Sequence, residues 1–250
     1  MSTGGTVLDP AAPQLVLAAR TLLFSWLPAD PGAAEALVPP GLRPHPQRQV
    51  FSCQYVVDDE TQTSGFGAYS LTYLGVSLAD MEPPDGGTPG GWWTHYLASS
   101  TRVRQYAAAR GAPAAEGVTR IELRGGRLTA ETWVDGRPLI RVVAAVGHTG
   151  TEAHSGHHRY LTRRDGELHV ADYPYVAEPV SPFEVESVEF LVPEHPVHAL
   201  RPANPLHVCW GFYSPRVSFA YPACPSLPDE AAPVHQVPAR RARSGLPSGS

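Results

Sequence analysis

The 250-residue chain carries 11 histidines, three cysteines and no lysine, because all 19 of its basic side chains are arginine. Without lysine there is no side-chain amine to form a Schiff base with a ketone. Proton transfer near neutral pH then falls to imidazole, phenol and carboxyl groups. His95 stands in Trp92-Trp93-Thr94-His95-Tyr96-Leu97, the most aromatic stretch of the chain. If that stretch alternates as a strand, His95 shares a face with Trp93 and Leu97. There it is either a satisfied core group or a desolvated acid–base group. A second cluster holds His148, His154, His157 and His158. A metal site needs three convergent ligands. Here Glu152 is the one carboxylate at ligand spacing, and His157 and His158, being adjacent, would point opposite ways on a strand. The Gly- and Ser-rich stretch reads as a polar loop with solvated imidazoles, and no metal is expected.

Other familiar chemistries find no motif. Gly65-Phe66-Gly67 lies inside a strand pattern and lacks the strand–turn–helix setting of a phosphate loop. No Gly-x-Ser-x-Gly elbow occurs. Cys53, Cys209 and Cys224 are too few and too scattered for a disulfide framework or a zinc site. Reduced thiols, and hence the cytoplasm, are the expectation.

The elements that must position these groups are mostly strands. Leu15 to Leu27, which contains Arg20, Val50 to Val57, Phe66 to Leu78 and Trp92 to Ser99 are dense in Val, Leu, Tyr and Phe. Val118 to Arg124, Arg127 to Val134 and Pro138 to Val146 are joined by Gly125-Gly126 and Asp135-Gly136, two-residue turns that specify hairpins. Asp165-Gly166 marks another hairpin between Tyr160 and Val170. Val185 to Val192, Leu206 to Tyr213 and Arg216 to Tyr221 complete the set. Pro31 to Val38 and Thr101 to Arg110 read as helices, the second stopped by Gly111 and Pro113. Asp80 to Gly91 is a Pro/Gly loop and a candidate lid.

About ten strands and a few short helices imply a closed or sandwiched antiparallel sheet. The 27 prolines and 23 glycines exclude a helical bundle. A net charge of −5 gives no basic field for nucleic acid, and no apolar run is long enough for a transmembrane helix. The expected organisation is one domain over 14–225, with 1–13 and 226–250 as disordered ends.

Several segments also resemble acetoacetate decarboxylase-like proteins. Ala36-Leu37-Val38-Pro39-Pro40-Gly41-Leu42 is similar to that family's "LVP-x-x-L" helix end, and it follows an Arg-bearing first strand. Thr63-Ser64-Gly65-Phe66-Gly67-Ala68-Tyr69 resembles its "TSG-hydrophobic-GxY" segment. Thr94-His95-Tyr96-Leu97, Tyr106 to Pro113 and Arg127-Leu128-Thr129-Ala130 follow in the family's order. The likeness covers residues 14–147 well and 148–222 loosely. It implies a mainly β, antiparallel barrel-like fold with a few short helices.

The departures bear on the chemistry. The family's two adjacent lysines, in "Tyr-x-Lys-Lys-x-Gly-x-Pro", fall at Ala108 and Ala109, while Tyr106, Gly111 and Pro113 remain. Its two acidic positions fall at Leu71 and near Gln54, and Arg20 keeps the first-strand arginine. An apolar pocket position falls at His95. The resemblance thus implies the same pocket with different chemistry. His95, Tyr106 and Arg20 are the expected catalytic groups, and Gln54, Tyr69, Leu71, Trp93 and Ala108 the expected substrate-binding ones. No cofactor is expected.

The expected activity is cofactor-free acid–base chemistry on a keto or polyketide-like small molecule: cyclisation, dehydration or isomerisation in specialised metabolism. The alternatives are a non-catalytic small-molecule binding protein and an enolate-type decarboxylase. Two alanines in place of lysines imply a widened pocket. A homo-oligomer is a further expectation, and burial of Trp92 and Trp93 at its interface is the alternative to their lining a pocket.

Overall fold

The computed structural model describes residues 8–86, 88–148 and 152–222. Twelve strands and two α-helices are described. The strands are β1 (Gln14–Trp26), β2 (Val50–Val57), β3 (Tyr69–Ser77), β4 (Gly91–Ala98), β5 (Ala114–Glu116), β6 (Val118–Arg124), β7 (Arg127–Val134), β8 (Arg137–Val146), β9 (His154–Arg164), β10 (Glu167–Ala177), β11 (Phe183–Phe190) and β12 (Val208–Tyr221). The helices are α1 (Pro31–Glu35), capped by Asp30, and α2 (Thr101–Ala109), capped by Ser100.

The order β3-β2-β1-β12-β10-β9-β4 closes on itself through β3–β4 pairing, which makes a seven-stranded barrel. Pairing is antiparallel except at one seam, where β4 meets β9 in parallel, so the expectation of an antiparallel barrel is corrected there. The short β5, unforeseen in the sequence, extends β4 in parallel. The hairpin segment builds a second, antiparallel sheet, β11-β8-β7-β6. Leu206 to Tyr213 and Arg216 to Tyr221 form parts of one strand, β12. Pro215, which has no N–H to donate, falls where the β1–β12 register shifts.

Two cores follow from strand alternation. Leu23, Cys53, Tyr55, Tyr69, Leu71, Tyr73, Trp93 and Tyr96 point into the barrel with Tyr160, Tyr173 and Tyr221. The residues between them, Leu22, Phe24, Val50, Leu74 and Leu97, point outwards against Ile121, Leu128, Ala130 and Val142 of the second sheet.

One bulge decides where the fourth strand's side chains go. Tyr73 faces Tyr96, Leu74 faces His95, and Gly75 faces Trp93, so Thr94 is an extra residue on β4. Gly75 permits the kink, since a Cβ there would lie 2.2 Å from the Trp92 carbonyl oxygen. Trp93 and Tyr96 therefore both point inwards, and His95 points with Leu74 and Leu97 towards the second sheet. Strict alternation, which put His95 beside Trp93 on one face, fails at this residue.

The ends 1–7 and 223–250, including Cys224 and the proposed tail, lie outside the described residues. No helix among the described residues is long and apolar enough to cross a membrane.

Candidate active site

The barrel interior is lined almost wholly by rings. A cavity of ≈ 40 Å³ lies among Cys53, Tyr55, Tyr73, Trp93, His158, Tyr160, Tyr173, Tyr175, Phe212 and Phe219. A second void of ≈ 10 Å³ shares Trp93, Tyr160, Tyr173 and Tyr221 with it and adds Tyr96, Tyr106, Ala107, Arg110 and Thr162. The larger holds about three water-sized groups. Aromatic side chains fill most of the remaining space inside the barrel.

Phenols supply most of the interior's polar atoms, and they pair with one another. Tyr69, Tyr55, Tyr221 and Tyr96 form a chain of hydroxyls at 2.8, 2.7 and 3.1 Å. Tyr73 and Tyr160 make a separate pair at 2.8 Å. Burial raises the pKa of all six well above the ordinary phenol value, so they are neutral hydroxyls at physiological pH. Burial likewise pushes the Cys53 thiol up to about 12, which leaves it protonated.

The titratable group with a different character is His158. It comes from β9, on the same face as Tyr160, with His157 and Arg159 on the other face. Its ring stacks on Tyr175 at 4.3 Å and 3°. Nδ1 lies 3.3 Å from Thr88 Oγ1, while Nε2 is buried with no hydrogen-bond partner in the protein. Burial pushes its pKa down to about 4, with a small push the same way from His157 and an opposing pull from Asp85. His158 is thus a neutral imidazole on the cavity wall across the physiological range.

The loop read as a candidate lid runs beside this strand. Its Asp85 accepts from the His157 backbone N–H at 2.8 Å and lies 3.1 Å from His157 Nδ1, and its Thr88 meets His158.

The eight residues expected from the sequence separate into three groups. Trp93 borders both voids, and Tyr106 borders the smaller. The Tyr106 hydroxyl donates to the Ala12 carbonyl at 3.0 Å and accepts from Arg110, so it is engaged in holding the N-terminal segment and helix α2. Tyr69 and Leu71 lie inside the barrel core but off the voids.

Arg20, Gln54, His95 and Ala108 are not on the cavity, which corrects the expectation of convergence. Arg20 lies outside the barrel, paired with both Asp58 oxygens at 2.8 and 2.6 Å and donating to the Ile121 carbonyl. Gln54 faces the second sheet and donates to Thr132 Oγ1 at 3.0 Å. His95 lies 6.0 Å from the His195 ring, and burial with help from His195 lowers its pKa to about 4. Ala108 is exposed, because the helical period turns Val103, Tyr106, Ala107 and Arg110 inwards instead.

Sequence reasoning missed His158, Cys53, Tyr160, Tyr173 and Arg110. The signals were present. Gly156, His158 and Tyr160 alternate ahead of the Asp165-Gly166 turn, and Tyr106 to Arg110 is an i, i+4 pair on one helix face. Arg110 is buried at the end of α2, where it donates to Tyr106 and to the Pro222 carbonyl. No group of three or more His, Cys, Asp or Glu among the described residues has a metal-binding arrangement.

No known family model matches this sequence, and no curated protein matches it. Solved structures align over most of the chain. The enduracididine biosynthesis enzyme MppR complexed with pyruvate is 14% identical with a TM-score of 0.61, covering 91% of this chain and 95% of that one. An acetoacetate decarboxylase-like enzyme from Sphingomonas wittichii RW1 is 16% identical at 0.60, covering 91% and 98%. An acetoacetate decarboxylase is 14% identical at 0.60, covering 86% and 89%. At these identities the likeness is one of architecture, and the chain has the acetoacetate decarboxylase-like fold.

Proposed function

We propose that this chain is a lysine-independent enzyme that moves a proton at the carbon beside the carbonyl of a small keto compound held in the barrel. The observation that carries this reading is His158, a buried, neutral imidazole whose residue lines the cavity and whose Nε2 has no partner in the protein. An imidazole so placed is a base already in its working form. With no lysine to form an imine, the carbonyl oxygen itself must take the electron pair released at carbon. Isomerisation follows if the proton returns to another carbon. Dehydration or cyclisation follows if the enolate expels a leaving group or meets an internal electrophile. The keto class has support from a neighbour of the same fold that was solved with pyruvate. The ≈ 40 Å³ cavity argues for a ligand of a few heavy atoms rather than a polyketide.

A second reading, a non-catalytic small-molecule binding protein, draws on the same filling of the barrel by paired phenols. Proton exchange separates the two. In D2O with acetone or acetylacetone, the wild type is expected to speed deuterium incorporation at the carbon beside the carbonyl. His158→Gln should slow it by about 10²–10⁴-fold. The rate should rise as pH climbs through about 4, where the imidazole loses its proton, and then stay level towards pH 7. Borohydride added with either ketone should trap no adduct on any side chain. Binding without exchange would favour the binding protein, and exchange unchanged in His158→Gln would refute the role of His158.

A further inference from the structure

The proton-transfer reading leaves open which group receives the charge that develops on the carbonyl oxygen. Trp93, which lines the same cavity, also has a buried polar atom without a protein partner, its Nε1. Trp93 is 5% exposed and His158 8%. Both rings lie against Tyr160, at 4.8 Å and 27° for Trp93 and at 6.0 Å and 31° for His158. An indole N–H can only donate. Three other tryptophans use theirs within the protein, Trp26 on the Leu200 carbonyl, Trp133 on Glu131 and Trp210 on Gln49. Orphaned buried donors are rare in folded proteins and call for an explanation. Phenol hydroxyls surround Trp93, yet they bond to one another.

We propose that the Trp93 Nε1–H binds the carbonyl oxygen of the ligand and holds it as an oxyanion while His158 Nε2 takes the proton from the adjacent carbon. This deepens the reading of His158 as the acid–base group and rests on it. In the step, the C–H bond breaks and an Nε2–H bond forms. The freed electron pair makes the new C=C bond, and the carbonyl π pair moves onto oxygen, where the indole N–H meets it. Reprotonation at carbon reverses each change, so no other reactant is needed. The step requires the tautomer that carries its proton on Nδ1, donated to Thr88 Oγ1 at 3.3 Å, which leaves the unpartnered Nε2 its lone pair. The rest of the wall is apolar side chains, phenols, Thr21 and the Cys53 thiol, and it includes no carboxylate, arginine or lysine. The ligand class is therefore a small uncharged ketone or 1,3-diketone.

The test uses the full-length protein and acetylacetone. The chain has five tryptophans, so its ¹H–¹⁵N spectrum shows five indole signals, and Trp93→Phe identifies one of them by its loss. Saturating acetylacetone should move that signal downfield and leave the Trp26 signal in place. Trp93→Phe keeps an aromatic ring and should cut kcat for deuterium exchange by about 10²–10³-fold, with a smaller change in KM. The proposal falls if the Trp93 signal stays still at every ligand concentration, or if Trp93→Phe exchanges at the wild-type rate. A moved signal in a wild type that exchanges nothing would keep Trp93 as the ligand's donor and remove the catalytic reading. Exchange that needs His158 but not the indole N–H would do the opposite. If Trp93→Phe does not fold, movement of a single solvent-protected indole signal of the wild type supports the proposal, and its absence overturns it.

Discussion

Two buried imidazoles should make this fold acid-labile well above the range where carboxylates protonate. His158 in the barrel wall and His95 between barrel and second sheet both have pKa values lowered from 6.5 to about 4, chiefly by burial. The groups facing His158 are Asp85 and His157, and His195 faces His95. A lowered value in a base means that the unfolded chain binds the proton more readily than the folded one. Stability is therefore complete above about pH 6.5, falls as pH drops towards 4, and loses nothing further from these groups below that. Between pH 7 and pH 5 each imidazole should cost about 2 kcal/mol, and the pair about 4 kcal/mol. That is a large share of the 5–15 kcal/mol typical of a folded domain. Urea unfolding followed by circular dichroism at the two pH values reads it directly, as a fall of about 1–2 M in the midpoint. His158→Gln and His95→Gln should each abolish about half of the difference between pH 7 and pH 5, whatever they do to stability at pH 7 itself. If His158→Gln keeps the whole wild-type difference, the imidazole is not held neutral by burial, and its assignment as a ready base loses its physical basis.

Two further substitutions test how the barrel meets its surroundings. Thr72 Oγ1 lies 2.7 Å from Thr119 Oγ1 and 2.6 Å from Thr132 Oγ1, both across the inter-sheet gap, so Thr72→Val keeps the shape, takes the buried Thr119 hydroxyl's partner away and leaves Thr132 only the bond from Gln54. It should lower unfolding free energy by about 1–3 kcal/mol, measured by denaturant titration, with deuterium exchange unchanged. Gly111 ends helix α2 at φ +82°, where a Cβ would sit 2.6 Å from the Arg163 carbonyl oxygen. Gly111→Ala should cost about 2–4 kcal/mol from the left-handed backbone and the clash together, seen as a fall in Tm.

Period and turn chemistry made most of the elements legible. Gly125-Gly126, Asp135-Gly136 and Asp165-Gly166 sit at the expected hairpins, and Asp135 and Asp165 take the positive φ that such turns demand. The barrel's closure was less legible, because the β4–β9 seam joins two strands far apart in sequence by only a short parallel register. The candidate site was lost and found on strand parity. On β4 a single extra residue, Thr94, exchanges inside for outside, and nothing in Trp92-Trp93-Thr94-His95 announces it, since each of those residues suits either face. On β9 no bulge intervenes between Gly156 and Thr162, and a strand taken back to His154 would have put His158 on the Tyr160 face.

Helical period bears in the same way on which side chains α2 sends into the barrel. Helix α2 presents Ala107 and Arg110 to the smaller void and turns Ala108 to solvent. The room beside Ala107 is then taken by the rings of Tyr106, Tyr173 and Tyr221, which pack edge-on around that end, Tyr106 and Tyr173 each against Tyr221. A protein that had only lost its amine would be left with a hole lined by short side chains, at a cost that grows with cavity volume. This barrel instead keeps a small, ring-lined cavity whose unpaired polar atoms are an imidazole nitrogen and an indole N–H, one to accept a proton and one to donate a hydrogen bond.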